Sequence, residues 1–196
     1  MAKAIGADGM TRRTPKTSAT HVALLRGVNV GGKNRLPMAE LAEYFRAADC
    51  AEVETFIQSG NVVFRASASG AQRAVKSVEA SLLAKFGHPI PVVLRTALEL
   101  AAIVRANPFA GPKADPKVLS VLFLRDPPSV ASRAALDPKR SPPDEIRAIG
   151  SEVYLRCPNG VARTRFTNDY FDRTLGTVTT ARNWKSVLAL LDLATK

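Results

Sequence analysis

Between Arg26 and Arg35 the chain reads Arg-Gly-Val-Asn-Val-Gly-Gly-Lys-Asn-Arg, with three cations and no acid among three glycines and two asparagines. Glycine admits backbone conformations with positive φ, so successive N–H groups can turn toward one point and cradle a phosphate or carboxylate. Lys33 and Arg35 would add charge to such a cradle. A second polar stretch, Gln58-Ser59-Gly60-Asn61, has turn composition and separates two β-rich runs, Val53 to Ile57 and Val62 to Phe64. The candidate ligand-binding residues are Arg26, Asn29, Gly31, Gly32, Lys33, Asn34, Gln58, Ser59 and Asn61, with Arg182, Asn183 and Trp184 as secondary candidates.

Other chemistries fit the residues poorly. Gly27 to Lys33 matches the spacing G-x-x-x-x-G-K, but Asn34 stands where a phosphate-binding P-loop needs a magnesium-binding hydroxyl. The helical pattern also begins only near Pro37 instead of directly after the lysine. The two histidines, His21 and His88, are not spaced as metal ligands, and no nucleophile, base and acid occur in a legible triad. Cys50 and Cys157 are the only cysteines, which encodes neither a disulfide framework nor a zinc site and suits a reducing, cytoplasmic setting. No metal and no cofactor are expected.

The elements that must position these residues repeat. His21 to Arg26 is a short apolar strand, and Met38, Leu41, Tyr44 and Phe45 follow at helical spacing. The hairpin about Gln58 to Asn61 comes next, then a helix from Gly70 to Phe86 and a strand from Ile90 to Leu94. Thr96 opens a further helix, with Glu99 at capping-box spacing and Asn107-Pro108 closing it. The same order then recurs: strand Val118 to Leu124, short helix Ser129 to Leu136, hairpin about Gly150-Ser151, helix Arg165 to Leu175 and strand Thr177 to Thr180. Trp184, Val187, Leu188, Leu190 and Leu191 make a final amphipathic helix.

The expected fold is α+β, a tandem duplication of a ferredoxin-like βαββαβ unit, or α/β plait, with an extra C-terminal helix. The expected division is a disordered basic tail over 1–19, a first plait over 20–95, a connecting helix and loop over 96–116, and a second plait over 117–196. In a plait the β1–α1 loop and the β2–β3 hairpin leave one sheet edge, which brings the two polar stretches together, with His88 close by.

Leu24-Leu25-Arg26-Gly27-Val28-Asn29-Val30-Gly31-Gly32-Lys33-Asn34, Gln58-Ser59-Gly60-Asn61-Val62-Val63-Phe64, Asn107-Pro108-Phe109 and Arg182-Asn183-Trp184 together carry a resemblance. From about His21 to its C-terminus the chain resembles the bacterial family called domain of unknown function 1697. The resemblance implies two α/β-plait subdomains and supplies no activity. Phe56 departs from a common tyrosine, and Lys185-Ser186 replaces the usual Asn-Thr after Trp184.

Composition bounds the function classes. The net charge is +11, and since residues 1–20 contain four bases and one acid, +8 remains on the rest. Such an excess favours nucleic acid, nucleotides or phosphorylated metabolites as partners. No apolar run approaches the roughly 20 residues that span a bilayer, so no membrane partner is expected. RNA recognition of the RRM type would place paired aromatics on strands 1 and 3, whereas only Phe64 stands there. Three readings remain open: a module binding an anionic small molecule or nucleic acid at the Gly-rich edge; an enzyme acting on a phosphorylated or carboxylated substrate with Lys33, Arg26 or His88; or motifs whose role is structural throughout. Trp184 fits a core anchor as well as a stacking platform, and Arg156, Arg163, Arg165, Arg173, Arg182 and Lys185 form a candidate basic patch.

Overall fold

The computed structural model describes residues 18–196, so residues 1–17 of the expected tail lie outside it. Fourteen elements follow in chain order. The first seven are β1 (Ala19–Leu25), α1 (Met38–Ala47), β2 (Ala51–Phe56), β3 (Asn61–Ala66), α2 (Ala68–Phe86), β4 (Val92–Thr96) and α3 (Ala97–Ala106). The next seven repeat the sequence of types: β5 (Leu119–Leu124), α4 (Val130–Ala134), β6 (Glu145–Ile149), β7 (Glu152–Arg156), α5 (Asn168–Leu175), β8 (Thr179–Asn183) and α6 (Trp184–Ala194). The fold is mixed α+β, with two four-stranded antiparallel sheets ordered β2-β3-β1-β4 and β6-β7-β5-β8. No helix among the described residues is long and apolar enough to cross a membrane.

β1 from Val22 to Leu25 and β5 from Val121 to Leu124 are apolar at every position because each strand is covered on two faces. Ala23 and Leu25 of β1 point to a core beneath α1 and α2, which supply Leu41, Phe45, Val78 and Leu82. Val22 and Leu24 point the other way, into a core filled by Leu100 and Ile103 of α3 and Trp184, Val187 and Leu190 of α6. That same core is closed from below by Val121 and Phe123 of β5 and Tyr154 of β7. Leu122 and Leu124 then face Phe171 and Leu175 of α5. The molecule is thus five layers deep, and α3 and α6 form a shared middle layer between the sheets. The helix expected to bridge the halves packs one face, Leu100 and Ile103, between the sheets and leaves Leu98 exposed, and its last turn accepts a hydrogen bond at Ile103 O from the Tyr154 hydroxyl, 2.9 Å away.

Local signals set the ends of these helices. Thr96 and Glu99 form the expected capping box at α3. Ser67 caps α2, and Gly87 ends it with a left-handed residue at φ 72°. The last strand runs three residues further than its sequence suggested, to Asn183, and Asn183 then caps α6 by accepting from Ser186 N. Extension of the strand turns Arg182 inward, where only 7% of it is exposed, so it does not belong to a surface patch.

Candidate functional site

The Gly-rich loop between β1 and α1 is held by its asparagines. Asn29 sits in the left-handed region at φ 55°, and its side chain donates to Leu36 O and Gln58 O while accepting from Leu36 N, all within 2.9 Å. Asn34, at φ 50°, donates from Nδ2 to Gly27 O at 2.9 Å. Two backbone bonds, Asn29 N to Asn34 O and Lys33 N to Val30 O, close the tip. Asparagine tolerates this backbone because its short amide bonds locally. The expected meeting of the loop with the β2–β3 turn is therefore made by Asn29, and Leu25 N adds a bond to Gly60 O.

Gly60 fixes how closely the two segments approach. Its φ is 71°, and a Cβ there would lie 2.5 Å from Val28 Cγ2 and 2.8 Å from Leu25 Cβ. At Gly27, Gly31 and Gly32, all with positive φ, an added Cβ would meet nothing within 4 Å. The backbone there is open to solvent.

The remaining candidates divide by location. Asn61 is fully buried, donating to Phe56 O and Ser59 Oγ, and its Oδ1 accepts from Arg182 Nε. Arg182 also donates to Leu25 O at 2.7 Å, to Ser59 O and Gly60 O, and to Thr180 Oγ1. No acid is among these partners, and burial lowers the guanidinium pKa to about 10. Arg26 points across to α5, where it pairs with Asp172 and, at 3.1 Å, with Asp169. Trp184 is buried in the middle layer and Asn183 is the α6 cap. Gln58 is exposed and enters the network through its carbonyl. Gly31, Gly32, Lys33 and Arg35 face solvent. His88 is also exposed, its ring bonded to Phe86 O.

The sequence reading missed a second set that mirrors the first. Arg95, one residue before the end of β4 as Arg182 is before the end of β8, donates to Leu124 O, Ser151 O and the Glu152 carboxylate. Leu124 ends β5 as Leu25 ends β1, and Glu152 opens β7 as Asn61 opens β3. Arg125 pairs with Glu79 of α2 as Arg26 pairs with Asp172 of α5. Glu79 in turn accepts from Val92 N and Asp172 from Thr179 N, the first residues of β4 and β8. The signal was present in the sequence as Leu-Leu-Arg and Phe-Leu-Arg at two strand ends, and as an arginine one residue before each helix cap. Among the described residues no group of three or more His, Cys, Asp or Glu could hold a metal ion.

A family described as a protein of unknown function, DUF1697, matches residues 19–154, well over half of the chain. The chain belongs to DUF1697. The matched stretch contains both the Gly-rich loop and the β2–β3 turn, and it ends before Arg182, which inserts between them. A conserved bacterial protein from Streptococcus pneumoniae superposes on this DUF1697 member with a TM-score of 0.70. The two are 21% identical, and the match covers 92% of this chain and 100% of that one, which is a likeness of fold. No curated protein matches the sequence.

Proposed function

We propose that this DUF1697 protein is a binding module for a phosphate-bearing polyanion, a nucleic-acid strand, which lies along the outer face of the Gly-rich loop. The same reading takes the halves as two ferredoxin-like plaits, each followed by a helix, held as one rigid cytoplasmic body. The observation that carries the binding role is the division of labour within the loop. Asn29, Asn34 and Arg182 fix the backbone from within, while Gly31, Gly32, Lys33 and Arg35 remain at the surface. Among the described residues neither Lys33 nor Arg35 joins an ion pair. A rigid loop with bare backbone and two free cations offers N–H groups and charge without an ordering cost.

Openness favours a polymer over a small metabolite, since small ligands bind where most of their surface is buried. The loop is also a departure from the repeat: twelve residues join β1 to α1, from Arg26 to Pro37, and five join β5 to α4, from Arg125 to Ser129. A purely structural role accounts for Arg26, Asn29, Ser59, Asn61 and Arg182. It leaves the exposed tip without a purpose.

The test is fluorescence anisotropy with a single-stranded oligonucleotide of about 20 nucleotides at several salt concentrations. Log K should fall linearly with log[salt], by about 0.7 per neutralised phosphate for a single strand. The double variant Lys33→Ala, Arg35→Ala should reduce that slope by about two phosphates' worth. No binding at low salt, or an unchanged slope in the variant, would overturn the reading.

A further inference from the structure

Two connections in the second half are longer than their counterparts in the first, and they hold each other. Residues 48–50 join α1 to β2 and Ser67 alone joins β3 to α2, whereas residues 135–144 join α4 to β6 and residues 157–167 join β7 to α5. The long loops meet at Ser141, which is buried: its hydroxyl accepts from Arg165 N at 3.0 Å and donates to the Asp144 carboxylate at 2.7 Å. Arg140 Nε donates to Arg165 O, also 3.0 Å away.

This double loop carries four cations, Lys139, Arg140, Arg163 and Arg165, and among the described residues none of them joins an ion pair. Lys139, Arg163 and Arg165 are exposed. The carboxylates of these loops and of α5 are engaged elsewhere: Asp144 accepts from Ser141, Asp137 from the Lys139 N–H, and Asp169 and Asp172 hold Arg26. Arg140 is fixed without a counter-charge. Its guanidinium lies over the Tyr170 ring, 4.2 Å from the centroid, and its one bonded nitrogen is Nε, which leaves both Nη groups without a partner. A planar fork held in this way loses little freedom on taking up an oxyanion.

Helix α5 links this surface to the Gly-rich loop. Asp169 pairs with Arg26 at the start of that loop, and the next residue, Tyr170, lies under Arg140. The basic patch expected from the sequence is redrawn accordingly. Arg156 pairs with Glu145, Arg173 bonds its own helix at Asp169 O, and Arg182 is buried, while Arg163 and Arg165 remain free and are joined by Lys139 and Arg140.

We propose that Lys139, Arg140, Arg163 and Arg165 form a second phosphate-contacting surface, onto which the nucleic-acid strand at the Gly-rich loop continues across α5. This surface rests on the reading of that loop as the first contact, and it extends the footprint into the second half of the chain.

The experiment is the same anisotropy titration over salt concentration, with the full chain, the loop pair Lys33→Ala, Arg35→Ala, and the triple variant Lys139→Ala, Arg163→Ala, Arg165→Ala, which spares the packed Arg140. The triple variant should lower the salt slope by about three phosphates' worth, additively with the loop pair. Arg140→Lys, which keeps the charge and removes the fork, should weaken binding several-fold. The urea midpoint of each variant reports that it is folded. An unchanged slope in the folded triple variant, or unaltered binding in Arg140→Lys, would overturn this surface and leave the loop reading standing. A slope lowered in the triple variant but unchanged in the loop pair would overturn the loop reading and the continuous footprint with it, and no binding at low salt would overturn both.

Discussion

Arg95 and Arg182 hold equivalent positions at the ends of β4 and β8, and each inserts its guanidinium into the opposite half. Arg95 caps the end of β5 and the β6–β7 turn, while Arg182 caps the end of β1 and the β2–β3 turn. The chemistry differs at one point: Arg95 meets the carboxylate of Glu152, and Arg182 meets the neutral amide of Asn61. With Arg26 to Asp172 and Arg125 to Glu79 outside them, the exchanges are reciprocal. Each half lends two arginines to the other.

Removing either buried arginine should destabilise the whole chain. Arg182→Ala leaves the carbonyls of Leu25, Ser59 and Gly60 without their shared donor and is expected to cost about 3 kcal/mol. Arg95→Ala strands a buried carboxylate and should cost about 3–5 kcal/mol at neutral pH. Urea unfolding of both variants measures this. A loss under about 1 kcal/mol in either would mean that these bonds are replaced by water.

Glu152 gives the stability a pH dependence of defined sign. Burial raises its pKa, Arg95 works against that shift, and the net direction is upward. A raised folded-state pKa contributes stability that is fully present below the ordinary carboxylate value and is lost as pH rises through the raised one. The stability of the native chain minus that of Glu152→Gln should therefore fall as pH increases from about 4. In an Arg95→Ala background, compared with the corresponding double variant, the total fall should be larger and extend to higher pH, because the cation favouring ionisation is gone. A difference that stays flat from acid to neutral pH would contradict this assignment.

Gly60 and Gly31 separate crowding from backbone strain. Both have positive φ, but only at Gly60 would a methyl strike a packed neighbour, at 2.5 Å from Val28 Cγ2. Gly31→Ala should cost about 1–2 kcal/mol from the left-handed backbone alone. Gly60→Ala should cost about 1–3 kcal/mol more from overpacking. Val28→Ala in the Gly60→Ala background should recover part of that excess. Equal losses at the two glycines, read by thermal or urea unfolding, would rule out the close contact.

The two thiols report whether the layers unfold together. Cys50 lies in the core under α1 and α2, Cys157 in the core above α5, and burial raises both pKa values to about 11. Neither should react with iodoacetamide in the native protein at pH 8. Both should become reactive at the same urea concentration, since the middle layer ties the sheets together. Labelling of Cys50 well before Cys157 would show that the halves unfold separately.

The sequence by itself determined the element order, the capping box of α3 and the places where the polar loops lie. Hydrophobic spacing marked β1 and β5 as buried runs, Thr96 and Glu99 announced the α3 start, and the glycines and asparagines of Gly27 to Asn34 marked a loop with left-handed backbone. These are local properties, set by side-chain period and by what φ each residue tolerates. Only the tertiary structure decided which polar residues became partners. Arg26 and Arg35 look alike in the sequence, yet one pairs with Asp172 on α5 and the other faces solvent. Arg182 read as a surface charge because its partners, Leu25, Ser59 and Asn61, are more than a hundred residues away. A buried charge is tolerated only where several acceptors converge, and convergence across two sheets is a property of their packing about α3 and α6, which no local window contains.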